Sequence, residues 1–237
     1  TFFTVTLISV NDPNLKFYLQ QIHDDCISES KNDQEITKYQ SKIAIDLEWE
    51  IELNLFQFCS PKRKILIIRH PDGKGNEILF NFLTSHLFYG KGIDNDVKQL
   101  QRKFEYLLQH KKSFDFQNII EDVSKTRLIP YGYSSNFIQM TKQFAGDPCA
   151  EFKDAEMTMS NWLATDLTVR QVLYAAFDVA AIYQCYPNFK PPKAIEMRAK
   201  NRKSNISKMS DETNMRIKRK YVNKAKIIVL HNPAEKV

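Results

Sequence analysis

The stretch Ile43-Ala44-Ile45-Asp46-Leu47-Glu48-Trp49 governs how the rest of this chain is read. Its apolar residues suit a β-strand, and a strand sends alternate side chains to the same face. Asp46 and Glu48 therefore point together from the end of an otherwise apolar strand. Two carboxylates placed this way repel each other. A divalent cation that favours hard oxygen ligands, Mg²⁺ or Mn²⁺, removes that cost. The alternative is a strand end that reaches water, with both acids simply hydrated.

Outward from this strand, two more apolar runs follow within thirty residues, Leu53–Cys59 and Lys64–Ile68, separated by charged or Pro-containing turns. Together with residues 42–47 they predict a three-stranded meander. On the N-terminal side, Phe2–Ser9 suits a further strand. Asp12-Pro13 then opens a helix carrying Leu15, Leu19 and Ile22, and the polar stretch 24–40 predicts a surface loop or frayed helix. On the C-terminal side, Leu79, Phe82, Leu83, His86 and Leu87 recur at helical intervals. So do Val97, Leu100, Phe104, Leu107 and Leu108, which predict a helix from Val97 to Gln109. Phe88–Asp94 between them suits a short strand and a turn. Phe116–Val123 is ambiguous between strand and helix, and Ser135–Phe144 is helical. Leu167–Tyr186 is the clearest helix, opened by a Thr168-x-x-Gln171 capping box. Strands grouped early with helices distributed around them predict an α/β or α+β layer architecture.

The chain has 237 residues, 43% of them hydrophobic and 12% aromatic, with 16 Phe and 10 Tyr. That is enough apolar surface for a substantial core, which excludes wholesale disorder. No run reaches the roughly 18 uncharged apolar residues that a membrane span needs, so no membrane partner is expected. Residues 1–10 lack a basic leader and a small-residue cleavage site, so they do not read as a signal peptide. Cys26, Cys59, Cys149 and Cys185 show no metal-site spacing and no disulfide framework, which favours a reducing compartment. The expected location is intracellular, nucleus or mitochondrion rather than cytosol, and not secreted.

The net charge of +6 is unevenly spread. Residues 1–189 hold 20 Lys and Arg against 24 Asp and Glu, a net of −4. Residues 190–226 hold 13 against 3, a net of +10. The basic character belongs to a C-terminal segment that begins at Lys190 and Pro191-Pro192 and carries a late apolar patch, Ile227–Leu230. The expected division is a domain over residues 1–188 and a basic extension over 189–237, partly disordered or bound to a partner. A charge run is usually a solvated extension. This one, through Lys200, Arg202, Lys203, Arg216, Lys218, Arg219 and Lys220, also has the density to condense onto phosphates. Only Tyr221 interleaves with these charges, so such binding should be blind to sequence.

Two other segments could carry chemistry beside Asp46 and Glu48. Tyr174-Ala-Ala-Phe-Asp178 places a phenol and a carboxylate one turn apart on a helix that is apolar nearly all round. A buried aspartate there needs a partner, either a bound ion or a structural donor such as a backbone amide or an arginine. Gly92-Ile93-Asp94-Asn95-Asp96 forms a turn into the next helix. Either acid, taken singly, is explained as a helix cap favoured by the dipole. His23, His86, His110 and His231 have no partner at ligand spacing, and His70-Pro71-Asp72-Gly73 predicts a turn. Trp49 and Trp162 read as packing residues. Lys91, Lys98 and Lys153 are solvated lysines with a weaker claim on phosphate.

Taken together, these segments resemble the DEDDy branch of the 3′–5′ exonucleases, the group with the RNase D and Werner-type exonuclease domains. The resemblance rests on Asp46-x-Glu48, on Asp96 within Gly92-Ile-Asp-Asn-Asp96-Val-Lys-Gln-Leu100, and on Tyr174-x-x-x-Asp178, in that order. Ser160-Asn161-Trp162 followed by Leu167-Thr168 also looks like the family's approach to its third motif. Asp94 remains a rival for Asp96, and residues 190–237 have no counterpart in the family.

The resemblance covers about residues 1–188. It implies an RNase H-like α/β fold, a mixed central sheet of about five strands flanked by helices, with the acids at one end of the sheet. It also implies a two-metal-ion phosphodiester hydrolase using Mg²⁺ or Mn²⁺, which trims single-stranded RNA or DNA from the 3′ end and releases nucleoside 5′-monophosphates. In that scheme Asp46 bridges both ions, Glu48 and Asp178 ligate the ion that activates water, Asp96 acts through the second ion's waters, and Tyr174 orients the attacking water. Two other readings remain open. One is an exonuclease-like structural or RNA-binding subunit of a ribonucleoprotein or other nucleic-acid-processing assembly. The other is a proofreading domain detached from a polymerase.

Overall fold

A computed structural model describes residues 2–31, 42–70, 75–110, 114–123, 137–144, 155–186 and 226–230. Seven strands are described: β1 (Phe2–Ser9), β2 (Ile43–Trp49), β3 (Leu53–Cys59), β4 (Lys64–Arg69), β5 (Phe88–Gly90), β6 (Ile120–Asp122) and β7 (Lys226–Leu230). The helices are α1 (Leu15–Lys31), α2 (Glu77–Ser85), α3 (Asp94–Lys103), α4 (Glu105–Leu108), α5 (Phe137–Phe144), α6 (Ala155–Thr158) and α7 (Val169–Cys185).

The strands form one sheet in the order β6-β5-β2-β3-β4-β1-β7. The expected meander is its centre, since β3 pairs antiparallel with both β2 and β4. The remaining pairings, β2 with β5, β5 with β6, β4 with β1 and β1 with β7, are all parallel. Every strand except β3 therefore ends at the same edge of the sheet. Open α/β sheets bind ligands outside the carboxyl ends of their strands, and this edge is where the motif acids lie.

Alternation along β2 divides the core in two. Ile43, Ile45 and Leu47 face one way, and with Phe56, Phe58, Leu66 and Ile68 they are covered by α1, α2 and α3. Leu15, Leu19 and Ile22 of α1 are all buried in this layer, as their helical spacing predicts. Ala44 faces the other way, with Leu55, Cys59, Ile65 and Ile67, against α7. α7 is apolar nearly all round because it is enclosed, and the predicted Thr168–Gln171 capping box closes its N-terminus. Among the described residues, no helix is long and apolar enough to cross a membrane.

Four local readings are corrected or resolved. The sheet has seven strands rather than about five. One addition is β6, because the ambiguous stretch 116–123 is a 3₁₀ turn at Phe116–Asn118 followed by that strand. The other is β7, formed by the late apolar patch. α1 continues through residues 24–31 before the undescribed segment begins. The helix expected over Val97–Gln109 starts earlier, at Asp94, and breaks at Phe104, whose φ of −108° and ψ of 15° are not helical. Phe104 is fully buried against Phe56, Phe80 and Phe116, and this packing outweighs helix continuity.

Gly90 ends β5 where the chain turns toward α3. A Cβ at that position would lie 2.7 Å from Ile93 Cγ2 and 2.9 Å from the Ile45 carbonyl oxygen. The backbone oxygen cannot give way, so Gly90→Ala should destabilise the protein by about 1–3 kcal/mol through overpacking. Urea unfolding measures this directly, and an unchanged midpoint would show that β5 does not pack this closely on β2.

Candidate active site

Asp46 and Glu48 leave β2 on the face covered by α7, both half-buried. Asp178 descends from α7 onto the same place and is only 4% exposed. One oxygen from each of the three carboxylates lies within 4.8 Å of the others. The carboxylate pair expected from alternation on β2 thus meets the helical aspartate, across more than 120 residues of chain. Three oxygen donors converging in this way suit a hard divalent cation and would be mutually repulsive without one. Gln57, directly opposite Asp46 on β3 and fully buried, donates from Nε2 to Glu48 Oε1 at 3.3 Å.

Tyr174 sits one turn before Asp178 on α7 and is 3% exposed. Its hydroxyl is 2.8 Å from Thr158 Oγ1, and its ring lies against the buried Trp162 at 6.0 Å between centroids. The segment bearing Thr158 and Trp162 is itself anchored. Gln171 Nε2 donates to Ser160 Oγ and to the Asn161 carbonyl, at 3.2 and 3.0 Å. Arg69, at the end of β4, donates to the Ala164 carbonyl at 2.6 Å. Trp162 is a packing residue, as read from the sequence, and it packs on the motif tyrosine.

Asp96 approaches from the opposite side. It lies in the first turn of α3, which packs on the other face of the sheet, and it is not a member of the three-carboxylate cluster. Its Oδ1 accepts from Trp49 Nε1 at 2.9 Å. Burial pushes its pKa up to about 6, opposed by the Trp49 hydrogen bond and reinforced by the nearby Asp122 carboxylate. Asp94, the rival in the same turn, is exposed. Gly92 adopts a left-handed φ of 68°, and its N–H donates to Asp122 Oδ1 at 3.2 Å, fixing the turn ahead of Asp96.

The family model for 3′–5′ exonucleases matches residues 20–192, well over half of the chain. This chain belongs to the 3′–5′ exonuclease family. It is a nuclease, and its acidic cluster falls where the motif residues of the sequence converge. Solved structures agree on the fold. A nuclease in its apo form superposes with a TM-score of 0.54 at 15% identity, covering 92% of this chain and 88% of the other. Brucella melitensis NrnC with bound Mg²⁺ gives a TM-score of 0.51 at 15% identity, covering 91% of this chain and 89% of that one. No curated protein sequence matches.

Several partners of the site carry no signal in the sequence. Gln57, Thr158 and Asp122 become visible only when distant elements meet, and the indole of Trp49 has a role beyond packing. His23 and His86, which show no ligand spacing, are brought together at 2.9 Å between Nδ1 and Nε2. The second ring nitrogen of His86 lies 2.8 Å from the Phe82 carbonyl, and burial lowers its pKa. Lys91 lies over the Phe137 ring and Lys98 lies 3.4 Å from Asn95. Cys26, Cys59 and Cys185 are buried and form no disulfide among the described residues. Cys149, Lys153, the turn after His70, and the basic positions Lys200, Arg202, Lys203, Arg216, Lys218, Arg219 and Lys220 lie outside the described residues.

Proposed function

We propose that this chain is a metal-dependent enzyme that removes nucleotides one at a time from single-stranded 3′ ends of RNA or DNA, releasing nucleoside 5′-monophosphates. The observation that carries this reading is the convergence of Asp46, Glu48 and Asp178 at the carboxyl end of β2. Three clustered carboxylates fit a divalent ion by donor chemistry. Two ions of Mg²⁺ or Mn²⁺, when bound, supply an activated water and a stabilised leaving oxygen.

In this scheme Asp46, Glu48 and Asp178 would hold the metal, and Asp96 would serve a second position from α3. Gln57 keeps Glu48 in place through its amide N–H. Tyr174, whose hydroxyl is paired with Thr158, would hold and orient the attacking water. Thr158 and Trp162 set the direction in which that phenol points.

The test is incubation with 3′-labelled single-stranded RNA, single-stranded DNA and duplex, each with Mg²⁺, Mn²⁺ or EDTA. The expected result is stepwise shortening of single strands, with 5′-monophosphate products, abolished by EDTA. Internal cuts, or digestion that persists in EDTA, would overturn the assignment.

The basic segment is proposed to hold the phosphate backbone. Because β7 lies within residues 189–237 and pairs with β1, substitution tests this better than truncation. Replacing Lys200, Arg202, Lys203, Arg216, Lys218, Arg219 and Lys220 with Gln should weaken single-strand binding. It should also flatten the plot of log affinity against log salt by up to about 5, at roughly 0.7 per lost phosphate contact. Equal binding at every salt concentration would show that these residues do not meet nucleic acid.

A further inference from the structure

The three-carboxylate cluster and the second-motif acid lie on opposite faces of the sheet. Asp46 and Glu48 share the α7 side with Asp178. Asp96 belongs to α3, whose Val97 and Leu100 are buried in the layer formed with α1 and α2. For Asp96 to serve the same site, its carboxylate must be held at the end of β2, where the two faces meet. Trp49 is placed to do this. By alternation it follows Ile43, Ile45 and Leu47 onto the α3 face, and its ring packs on that face's core. From there its Nε1 donates to Asp96 Oδ1 at 2.9 Å.

The backbone at this point is shaped for the contact. The β2–β3 register shifts between Glu48 and Trp49, so that Glu48 opposes Leu55 while Trp49 opposes Leu53, and Asn54 is the extra residue. Such a bulge increases the local twist and re-aims the side chains beside it. Chemistry fits as well. The indole N–H only donates and carries no charge. It therefore occupies one carboxylate oxygen without neutralising the acid as a lysine would, and it leaves the second oxygen as an acceptor for the site.

We propose that Trp49 is a positioning residue that holds Asp96 at the carboxyl end of β2 and thereby sets the affinity of the second metal position. This rests on the metal-dependent reading above only in that Asp96 serves that position. Packing alone would need the ring and not its N–H, so Trp49→Phe separates the two roles.

The experiment is a Mn²⁺ titration of the full chain without substrate, read by the electron paramagnetic resonance signal of free Mn²⁺. The parent should show a tighter and a weaker site. Trp49→Phe should leave the tighter site within about twofold and weaken the other by about 10- to 100-fold, the usual range when a supporting hydrogen bond to a metal ligand is lost. In an Asp96→Asn background, Trp49→Phe should cause no further weakening, because the indole acts through that carboxylate.

If Trp49→Phe fails to fold, replacing Trp49 with 3-benzothienylalanine keeps the ring and removes only the N–H. Unchanged weak-site affinity without the indole N–H, additive losses in the double variant, or a single class of Mn²⁺ site in the parent would each overturn the proposal. A parent that binds two Mn²⁺ as described but digests no oligonucleotide would instead defeat the exonuclease reading and leave the positioning role standing.

Discussion

Asp178→Asn is expected to lower metal-dependent 3′ trimming by at least about a thousandfold, a loss of about 4 kcal/mol of transition-state stabilisation. The side chain is almost completely buried, and its oxygen lies within 4.8 Å of oxygens from Asp46 and Glu48. At an effective dielectric of about 20, unit charges at that separation repel by roughly 3 kcal/mol per pair, before hydration and counter-ions reduce the figure. A divalent cation bound there would remove that cost. The substitution should therefore have opposite effects on activity and on stability. In EDTA the Asn variant should melt at a higher temperature than the parent, because one repelling charge is gone. The rise in melting temperature that Mg²⁺ or Mn²⁺ gives the parent should nearly vanish. Thermal melts with and without metal, alongside digestion of a 3′-labelled oligonucleotide, measure both effects. Digestion at the parental rate would remove Asp178 from the chemistry, and a lower melting temperature in EDTA would mark it as a structural aspartate.

Tyr174→Phe should slow single-turnover cleavage by about a hundredfold, roughly 2.7 kcal/mol, while Mn²⁺ affinity stays within twofold of the parent. The phenyl ring remains wedged against Trp162, so only the hydroxyl is lost. That hydroxyl is paired with Thr158 at 2.8 Å, and removing it should cost about 1 kcal/mol of stability, a small effect beside the kinetic one. A rate equal to the parent's would remove the phenol from the mechanism. A large loss of Mn²⁺ affinity would show that Tyr174 supports the carboxylates rather than the attacking water.

The two readings of the motif carboxylates separate at the same place in the structure. Hydrated strand-end acids would lie apart, each facing solvent. Asp46 and Glu48 instead meet a buried aspartate from a helix. The long helix 169–185 was legible down to its capping box because its apolar residues and its Thr-x-x-Gln start are local signals. The meander was legible for the same reason, each strand being a short apolar run ended by a turn. The interruption of α3 at Phe104 has no local signal, because it follows from packing against Phe56 and Phe80, residues far away in the chain.

Sequence alone was enough for the periodic features and for which residues could act together within one element. Alternation put Asp46 with Glu48, and the helical repeat put Tyr174 with Asp178, because those relations depend only on local backbone geometry. Tertiary structure decided which elements meet and on which face. It brought α7 onto the Asp46 side of the sheet and α3 onto the other, and so set Asp96 against a tryptophan 47 residues away in the chain. No local pattern encodes such a contact. It arises because two amphipathic layers cover opposite faces of one sheet and meet at the edge where the strands end.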